Sequence, residues 1–267
     1  MAVKADISPS GRFLLPKKIV GSVILHPIAG RLIGWLFNNR IPHRGQRIAV
    51  APGGDPVVNA VLFWGIYESA ELRYVLQYLD GKTDVIELGS SIGGVSCVIA
   101  TRLGDRRLIC VEANSSLLGL LRQNLDTNAP GKTVEIVHGA IDYSGKDHIE
   151  FSIGSSNLSS HVGSEGKVES VPTLTLGSIQ AAYNVGDYAL VCDIEGAEAA
   201  LFDNDQEALQ SCQTIIIELH TVTYGGISYD PDKLIDMIAH NTGMALVARY
   251  GEVCVFSRRD GNKLNQA

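Results

Sequence analysis

Apolar residues along the chain follow two alternating spacings. Leu72, Val75, Leu76 and Leu79 recur at helical intervals, as do Val95, Val98, Ile99 and Leu103, and then Leu117, Leu118, Leu121 and Leu125. Between these stripes lie short unbroken runs: Asp84 to Leu88, Leu108 to Val111, Val134 to Val137, Tyr188 to Cys192 and Thr214 to Leu219. Runs that do not alternate with polar residues are the pattern of parallel strands covered on both faces. Strands alternating with helices predict a doubly wound α/β sheet. Two more runs, Met244 to Ala248 and Val253 to Ser257, are separated by a turn at Tyr250-Gly251. A parallel crossover needs about a dozen residues or more, so this final pair is predicted antiparallel. The expectation is a mostly parallel seven-stranded sheet with an antiparallel C-terminal hairpin. Asn114 or Ser115 can cap the helix of Leu117, Ser178 a later short helix, and Asp230-Pro231 opens a helix whose Leu234, Ile235 and Ile238 face inward.

The rhythm fails in three places. Ile19 to Phe37 is long enough to be weighed as a membrane span, but His26, Pro27, Arg31 and three glycines interrupt it. It is also a poor signal peptide, because Met1 to Pro16 is polar and no cleavage-like site stands out. It reads as a docking helix or homo-oligomer contact, with peripheral attachment to a membrane surface as the alternative. Residues 38–58 are rich in Gly, Pro and Arg and read as a loop with a short strand at Ile48 to Ala51. The chain divides on this reading into an N-terminal helical extension at 1–58, a main domain at 59–260 and a tail at 261–267. Residues 142–170 are polar and read as extended segments with a mobile loop.

Composition narrows the partners. The 267 residues are 45% hydrophobic and 19% charged, enough for one large domain with a sizeable core. Lys plus Arg number 22 against 29 Asp plus Glu, and no strong basic cluster suggests a grip on nucleic acid. The cysteines Cys97, Cys110, Cys192, Cys212 and Cys254 show no C-x-x-C spacing and no clustered His, which argues against zinc. They read as reduced core thiols, and so as a cytoplasmic protein.

Ligands of an open parallel sheet sit at the carboxyl ends of its strands. The first strand ends in Glu87-Leu88-Gly89-Ser90-Ser91-Ile92-Gly93-Gly94, where glycines let the backbone approach a ligand. The second ends in Glu112, whose carboxylate can accept both hydroxyls of a ribose. Neither G-x-G-x-x-G nor G-x-x-x-x-G-K-[ST] occurs, so neither a dinucleotide nor a P-loop grip is expected. The only charge on the loop is negative, which suits a ligand carrying an ammonium and a sulfonium better than a pyrophosphate.

With these residues the sequence resembles a class I S-adenosylmethionine-dependent methyltransferase, and more narrowly the FkbM family. The matching pieces are Tyr67-Glu68, the loop Glu87 to Gly94, Val111-Glu112-Ala113-Asn114, Thr175-Leu176, Cys192-Asp193-Ile194-Glu195-Gly196-Ala197-Glu198 and Ile215-Ile216-Ile217-Glu218. The resemblance implies S-adenosylmethionine as cofactor. Gly89, Ser91 and Gly93 would line its amino-acid end, Glu68 and Glu87 would lie near its ammonium, and Glu112 with Ala113 would take the ribose. Gly139, Ala140 and Ile141 would reach the adenine, and Asp193 would stand beside the methyl donor. Where the family usually has Asn, Lys and Asp, this chain has Ser91, Val191 and Gly177; the last two would remove polar groups from the active-site side.

Methyl transfer from a sulfonium needs alignment and exclusion of water, and a hydroxyl acceptor benefits from a base or a metal. Asp193, Glu195, Glu218 and His220 are the catalytic candidates, with His220 as a base near its ordinary pKa. Glu198 is a further candidate, and His138 and His161 are weaker ones. Asp193, Glu195 and Glu218 form an alternative Mg2+ set, although Mg2+ is not expected. The expected activity is O-methylation of a small-molecule, sugar or lipid hydroxyl. N-methylation in the same cleft, or a weakly catalytic cofactor-binding module acting in assembly, are the alternatives.

Overall fold

The apolar runs become strands and the stripes become helices. The computed structural model describes residues 25–153 and 167–258. In chain order the elements are α1 (Pro27–Leu36), β1 (Arg40–His43), β2 (Gln46–Ala49), α2 (Pro56–Phe63), α3 (Ser69–Tyr78), β3 (Asp84–Leu88), α4 (Gly94–Arg102), β4 (Leu108–Glu112), α5 (Ser115–Asn128), β5 (Val134–His138) and β6 (Ala140–Ile141). There follow β7 (His148–Ile153), β8 (Lys167–Leu174), α6 (Leu176–Tyr183), β9 (Tyr188–Cys192), α7 (Glu198–Asn204), α8 (Gln206–Leu209), β10 (Cys212–Glu218), β11 (Val222–Tyr224), β12 (Ile227–Tyr229), α9 (Pro231–Thr242), β13 (Ala245–Tyr250) and β14 (Val253–Ser257).

Seven strands form the main sheet in the order β13-β14-β10-β9-β3-β4-β5. The five from β10 to β5 are parallel, and β14 runs antiparallel to both β10 and β13. This is the α/β fold expected from the sequence. Strands β3, β4 and β9 are buried at every residue, which is why their sequences do not alternate. One apolar cluster on the sheet holds Val85, Val98, Leu121 and Val191, and a second holds Ile86, Leu190, Phe202 and Phe256. The chain passes from β5 back to β9 on the other side of β3, so the strand order reverses between β3 and β9. A reversal of this kind opens a crevice at the strands' carboxyl ends.

Several local expectations need correction. Residues 38–58 hold more structure than a loop with one strand: the strand expected at Ile48 to Ala51 overlaps β2, which pairs with β1 in a hairpin, and α2 follows it. Asp55 accepts from the Val57 N–H and Pro56 takes the first turn, the same start signal as Asp230-Pro231. Thr175, not Ser178, caps α6; Ser178 is its third residue and returns the bond to the Thr175 N–H. On α3, Leu72 and Val75 are buried but Leu76 is exposed. The polar loop with His161 lies partly outside the described residues, as do residues 19–24 of the apolar N-terminal run. All five cysteines are free and buried. Among the described residues no helix is long and apolar enough to cross a membrane.

The N-terminal hairpin is stitched to the main sheet's covering helices. Asn124 of α5 accepts from the Ala49 N–H at 2.7 Å and donates to the Ala49 carbonyl at 3.0 Å and the Ile92 carbonyl at 2.8 Å. Asn128, one turn on, repeats the pattern with Arg47. Ile41 and Ile48 of the hairpin are fully buried in the cluster that includes Leu121 and Val98.

Candidate functional site

A cavity of about 320 Å³ opens over the carboxyl ends of β3, β4, β9 and β10. Its floor is the turn after β3. The Gly89 N–H donates to the Val111 carbonyl, and the Asp193 N–H donates to the Leu88 carbonyl, so three strand ends meet here. Gly89 sits at φ +87°, and a Cβ there would lie 1.8 Å from the Asp193 carbonyl oxygen. Only glycine lets these two backbones approach so closely.

Glu112 is buried at the tip of β4. It accepts from the Ser91 N–H and the Asn114 N–H, each at 2.7 Å. The carboxylate thereby ties the glycine loop to the start of α5, where Asn114 serves as the cap. Each carboxylate oxygen retains acceptor capacity, as recognition of a diol requires. Glu68, Ser91 and Glu195 all line the cavity, and all three have left-handed backbones at φ 45°, 48° and 51°. Non-glycine residues in this region carry strain of roughly 1–2 kcal/mol each, and such residues gather at functional sites.

The cavity wall collects Glu68, Gly89, Ser91, Glu112, Ala113, Ala140, Ile141, Asp193, Glu195 and Glu218 from the sequence candidates. Gly139 joins them. Of the described candidates, Glu87, Gly93, His138, Glu198 and His220 are not on the wall. Glu87 lies beneath it, accepting from Ser96 Oγ at 2.5 Å, Ser90 Oγ at 2.9 Å and Cys110 Sγ at 3.3 Å. Gly93 faces the Leu121 side chain and is the residue that caps the start of α4. The expectation for Val191 and Gly177 also changes. Val191 is buried in the apolar core, and Gly177 packs toward Asp205; neither lines the cavity. His138 bonds the Ala113 carbonyl through Nε2 at 3.1 Å.

Tyr67, Leu117 and Phe151 line the cavity without having been singled out as site residues. Tyr67 was legible from its place before Glu68. Phe151 was not, because β7 lies in the polar stretch where the helix–strand rhythm stops.

Electrostatics set the site apart. Five carboxylates line the cavity, from Glu68, Glu112, Asp193, Glu195 and Glu218, with no Lys, Arg or His among the lining residues described. Burial, with Glu218 close by, pushes the Asp193 carboxyl up to about 7. Asp193 Oδ1 is buried without a hydrogen-bond partner. Burial and the neighbouring Asp193, Glu87 and Glu218 push Glu68 well above the usual carboxylate range. Burial likewise raises Glu87 to about 7, against the stabilising donors of Ser96 and Ser90.

His220 stands behind the wall. Its Nδ1 is 2.8 Å from Glu198 Oε1, and its Nε2 lies 3.6 Å from Glu195 and 3.9 Å from Asp193. Burial alone would lower its pKa, but the bond to Glu198 and the surrounding carboxylates outweigh it and push it up to about 9. His220 is therefore a cation at neutral pH, not the neutral base expected from its ordinary pKa. Asp193, Glu195 and His220 offer ligand atoms within 4.8 Å of one another, the set that could converge on a metal ion. Glu218, expected in such a set, is not part of it.

The stabilising role of His220 is testable. Its pKa is raised from 6.5 to about 9 on folding. Its contribution is thus fully present below pH 6.5 and is lost as pH rises through about 9. His220→Ala leaves buried Glu198 unpaired and is expected to cost about 2–4 kcal/mol in urea unfolding at pH 6. The difference from wild type should shrink at pH 10; an equal difference at both would exclude the charge pairing.

The chain is similar to the hexuronic acid methyltransferase AglP of Haloferax volcanii, with 26% identity over 154 residues. The match covers 57% of this chain and 62% of that protein, so the chain spans less than two thirds of the relative's length. Among solved structures it is similar to a methyltransferase from Pyrococcus furiosus (12% identity, 87% of this chain and 98% of that chain, TM-score 0.44). A second is a putative O-methyltransferase from Klebsiella pneumoniae (13% identity, 91% of each chain, TM-score 0.43). Residues 87–245, more than half of the sequence and the stretch that carries most of the cavity wall, match the methyltransferase FkbM domain, and the chain belongs to that family.

Proposed function

We propose that the protein transfers a methyl group from S-adenosylmethionine to a hydroxyl of a small or glycosidic acceptor. The observation that carries this reading is the cavity of five carboxylates with no basic side chain on its described wall. Such a surface attracts a ligand bearing an ammonium and a sulfonium and repels a pyrophosphate. When bound, S-adenosylmethionine supplies an activated methyl group.

The chain's own residues do the rest. Glu112 accepts the ribose hydroxyls, and Glu68 faces the ammonium. Gly139, Ala140 and Ile141 pack the adenine. Asp193, with a carboxyl near 7, would take the acceptor's proton as the acceptor oxygen bonds to the methyl carbon and the carbon–sulfur bond of the donor breaks to leave a thioether. His220 holds the Asp193–Glu195 carboxylates in place as a positioning residue, and Glu198 holds His220. At neutral pH His220 keeps its proton, which competes with a metal for the same nitrogen. The proposal takes residues 59–260 as the catalytic unit and the cytoplasm as the compartment, which five free buried thiols suit. A sugar-class acceptor is in line with the hexuronic acid named for AglP. The weakly catalytic binding module loses one of its two motives, since Val191 and Gly177 do not line the cavity, and keeps the other, the apolar N-terminal segment.

Calorimetric titration with S-adenosylmethionine and, separately, with NAD tests the reading. Saturable binding of the first and none of the second is expected. NAD binding alone would overturn it.

A further inference from the structure

The first helix displays its large apolar side chains outward. Gly30, Ile33 and Gly34 are its buried face. A Cβ at Gly30 would lie 1.8 Å from the Pro56 carbonyl oxygen, and one at Gly34 would lie 2.5 Å from Asn59 Nδ2. Small residues thus seat α1 tightly on α2, and Asn59 donates to the Gly30 carbonyl across the contact. The seating fixes which face is free. Ile28, Leu32, Trp35 and Leu36, spaced at 0, 4, 7 and 8 along the helix, are 61–78% exposed. The patch extends along an aromatic chain, Phe37 to Phe63 at 5.5 Å and Phe63 to Trp64 at 5.1 Å. Trp64 and Ile66 are exposed too. Both tryptophans of the chain therefore sit on this one region.

Its charge is equally one-sided. Among the described residues before Asp55 there is no acidic residue, but there are Arg31, Arg40, Arg44 and Arg47, in a chain of net charge −7. Arg44 donates to the Gly65 carbonyl at 3.1 Å, which ties its guanidinium to the backbone of the Trp64–Ile66 stretch. Arg31, Arg40 and Arg47 are exposed around the helix and hairpin.

We propose that this face docks on an anionic lipid surface. Outward aliphatic residues would enter the headgroup boundary, tryptophans would sit at the interface, and arginines would meet lipid phosphates. A second copy fits less well. A two-fold contact would press the same arginines against each other without an acid between them. The proposal uses no residue that lines the cavity and does not depend on the reaction assigned there.

The test is flotation of the full chain with vesicles of phosphatidylcholine alone and of phosphatidylcholine mixed with phosphatidylserine. Binding to the mixed vesicles is expected, with a blue shift of tryptophan fluorescence. The double variant Leu32→Ser, Trp35→Ser should weaken partitioning about tenfold or more. Arg40→Gln with Arg44→Gln should weaken it and reduce its salt dependence. All four side chains are exposed or half-buried at the surface, and a thermal melt checks that each variant still folds. Absence of binding, or equal binding by wild type and both variants, overturns the proposal. So does a concentration-dependent dimer, seen by sedimentation without lipid, that the Leu32→Ser, Trp35→Ser variant abolishes.

Discussion

Gly89→Ala is expected to destabilise the protein by about 3 kcal/mol or more, seen as a large drop in the urea midpoint. Two costs add. The residue occupies φ +87°, which an alanine adopts only under strain. Its new Cβ would also lie 1.8 Å from the Asp193 carbonyl oxygen, a backbone atom that cannot swing aside as a side chain tip can. Relief would require β3 and β9 to part at their carboxyl ends. The Asp193 N–H would then lose the Leu88 carbonyl, and Asp193 itself would shift in the cavity. Any surviving folded fraction should therefore also bind S-adenosylmethionine more weakly. A stable Gly89→Ala protein would show that the two strand ends do not meet this closely.

Asp193→Asn is expected to lower turnover about 10²–10⁴-fold, the usual span for removing a general base. Asparagine keeps the side chain's shape but cannot take up the acceptor's proton. Binding of the methyl donor should change far less than the rate, which separates this role from a purely structural one. The pH profile sharpens the test. Burial raises the Asp193 carboxyl from 3.8 to about 7, so below that pH most of the protein carries it protonated and unable to act. Wild-type kcat/KM should climb with pH, pass half its maximum near 7 and level off above that, and the variant's residual rate should lack that limb. Full activity of Asp193→Asn would remove Asp193 from the proton path.

Much of this architecture could be read in advance because parallel strands are covered twice. Ile86, Ile109 and Leu190 have no polar side to show, so their segments stand out from any surroundings. Of the β1–β2 hairpin only the second strand was legible, near Ile48, and the first was hidden for the opposite reason. Its strand Arg40–His43 alternates exposed and buried residues and contains Pro42, and its turn uses Arg44 in a left-handed conformation. The start of α2 was readable, since Asp55-Pro56 repeats the signal taken at Asp230-Pro231. In the site, strand ends placed Glu112 and Asp193 because topology alone puts them at the crevice. The charge on His220 could not be read there. It depends on Glu198, brought in by α7 from 22 residues upstream. Glu87 was located correctly on its strand, but only packing decides that its side chain turns under the turn rather than into the cavity.

The side chain of Asn124 reaches two places that the chain order keeps apart, the Ala49 backbone of the N-terminal hairpin and the Ile92 carbonyl of the glycine loop. Neither can detach without stranding a buried amide that the other also uses. The hairpin and the loop consequently belong to one cooperative unit and open together rather than one by one. Local fraying at the hairpin is thereby held to the free-energy scale of the glycine loop, and the loop in turn is kept in one form by the hairpin.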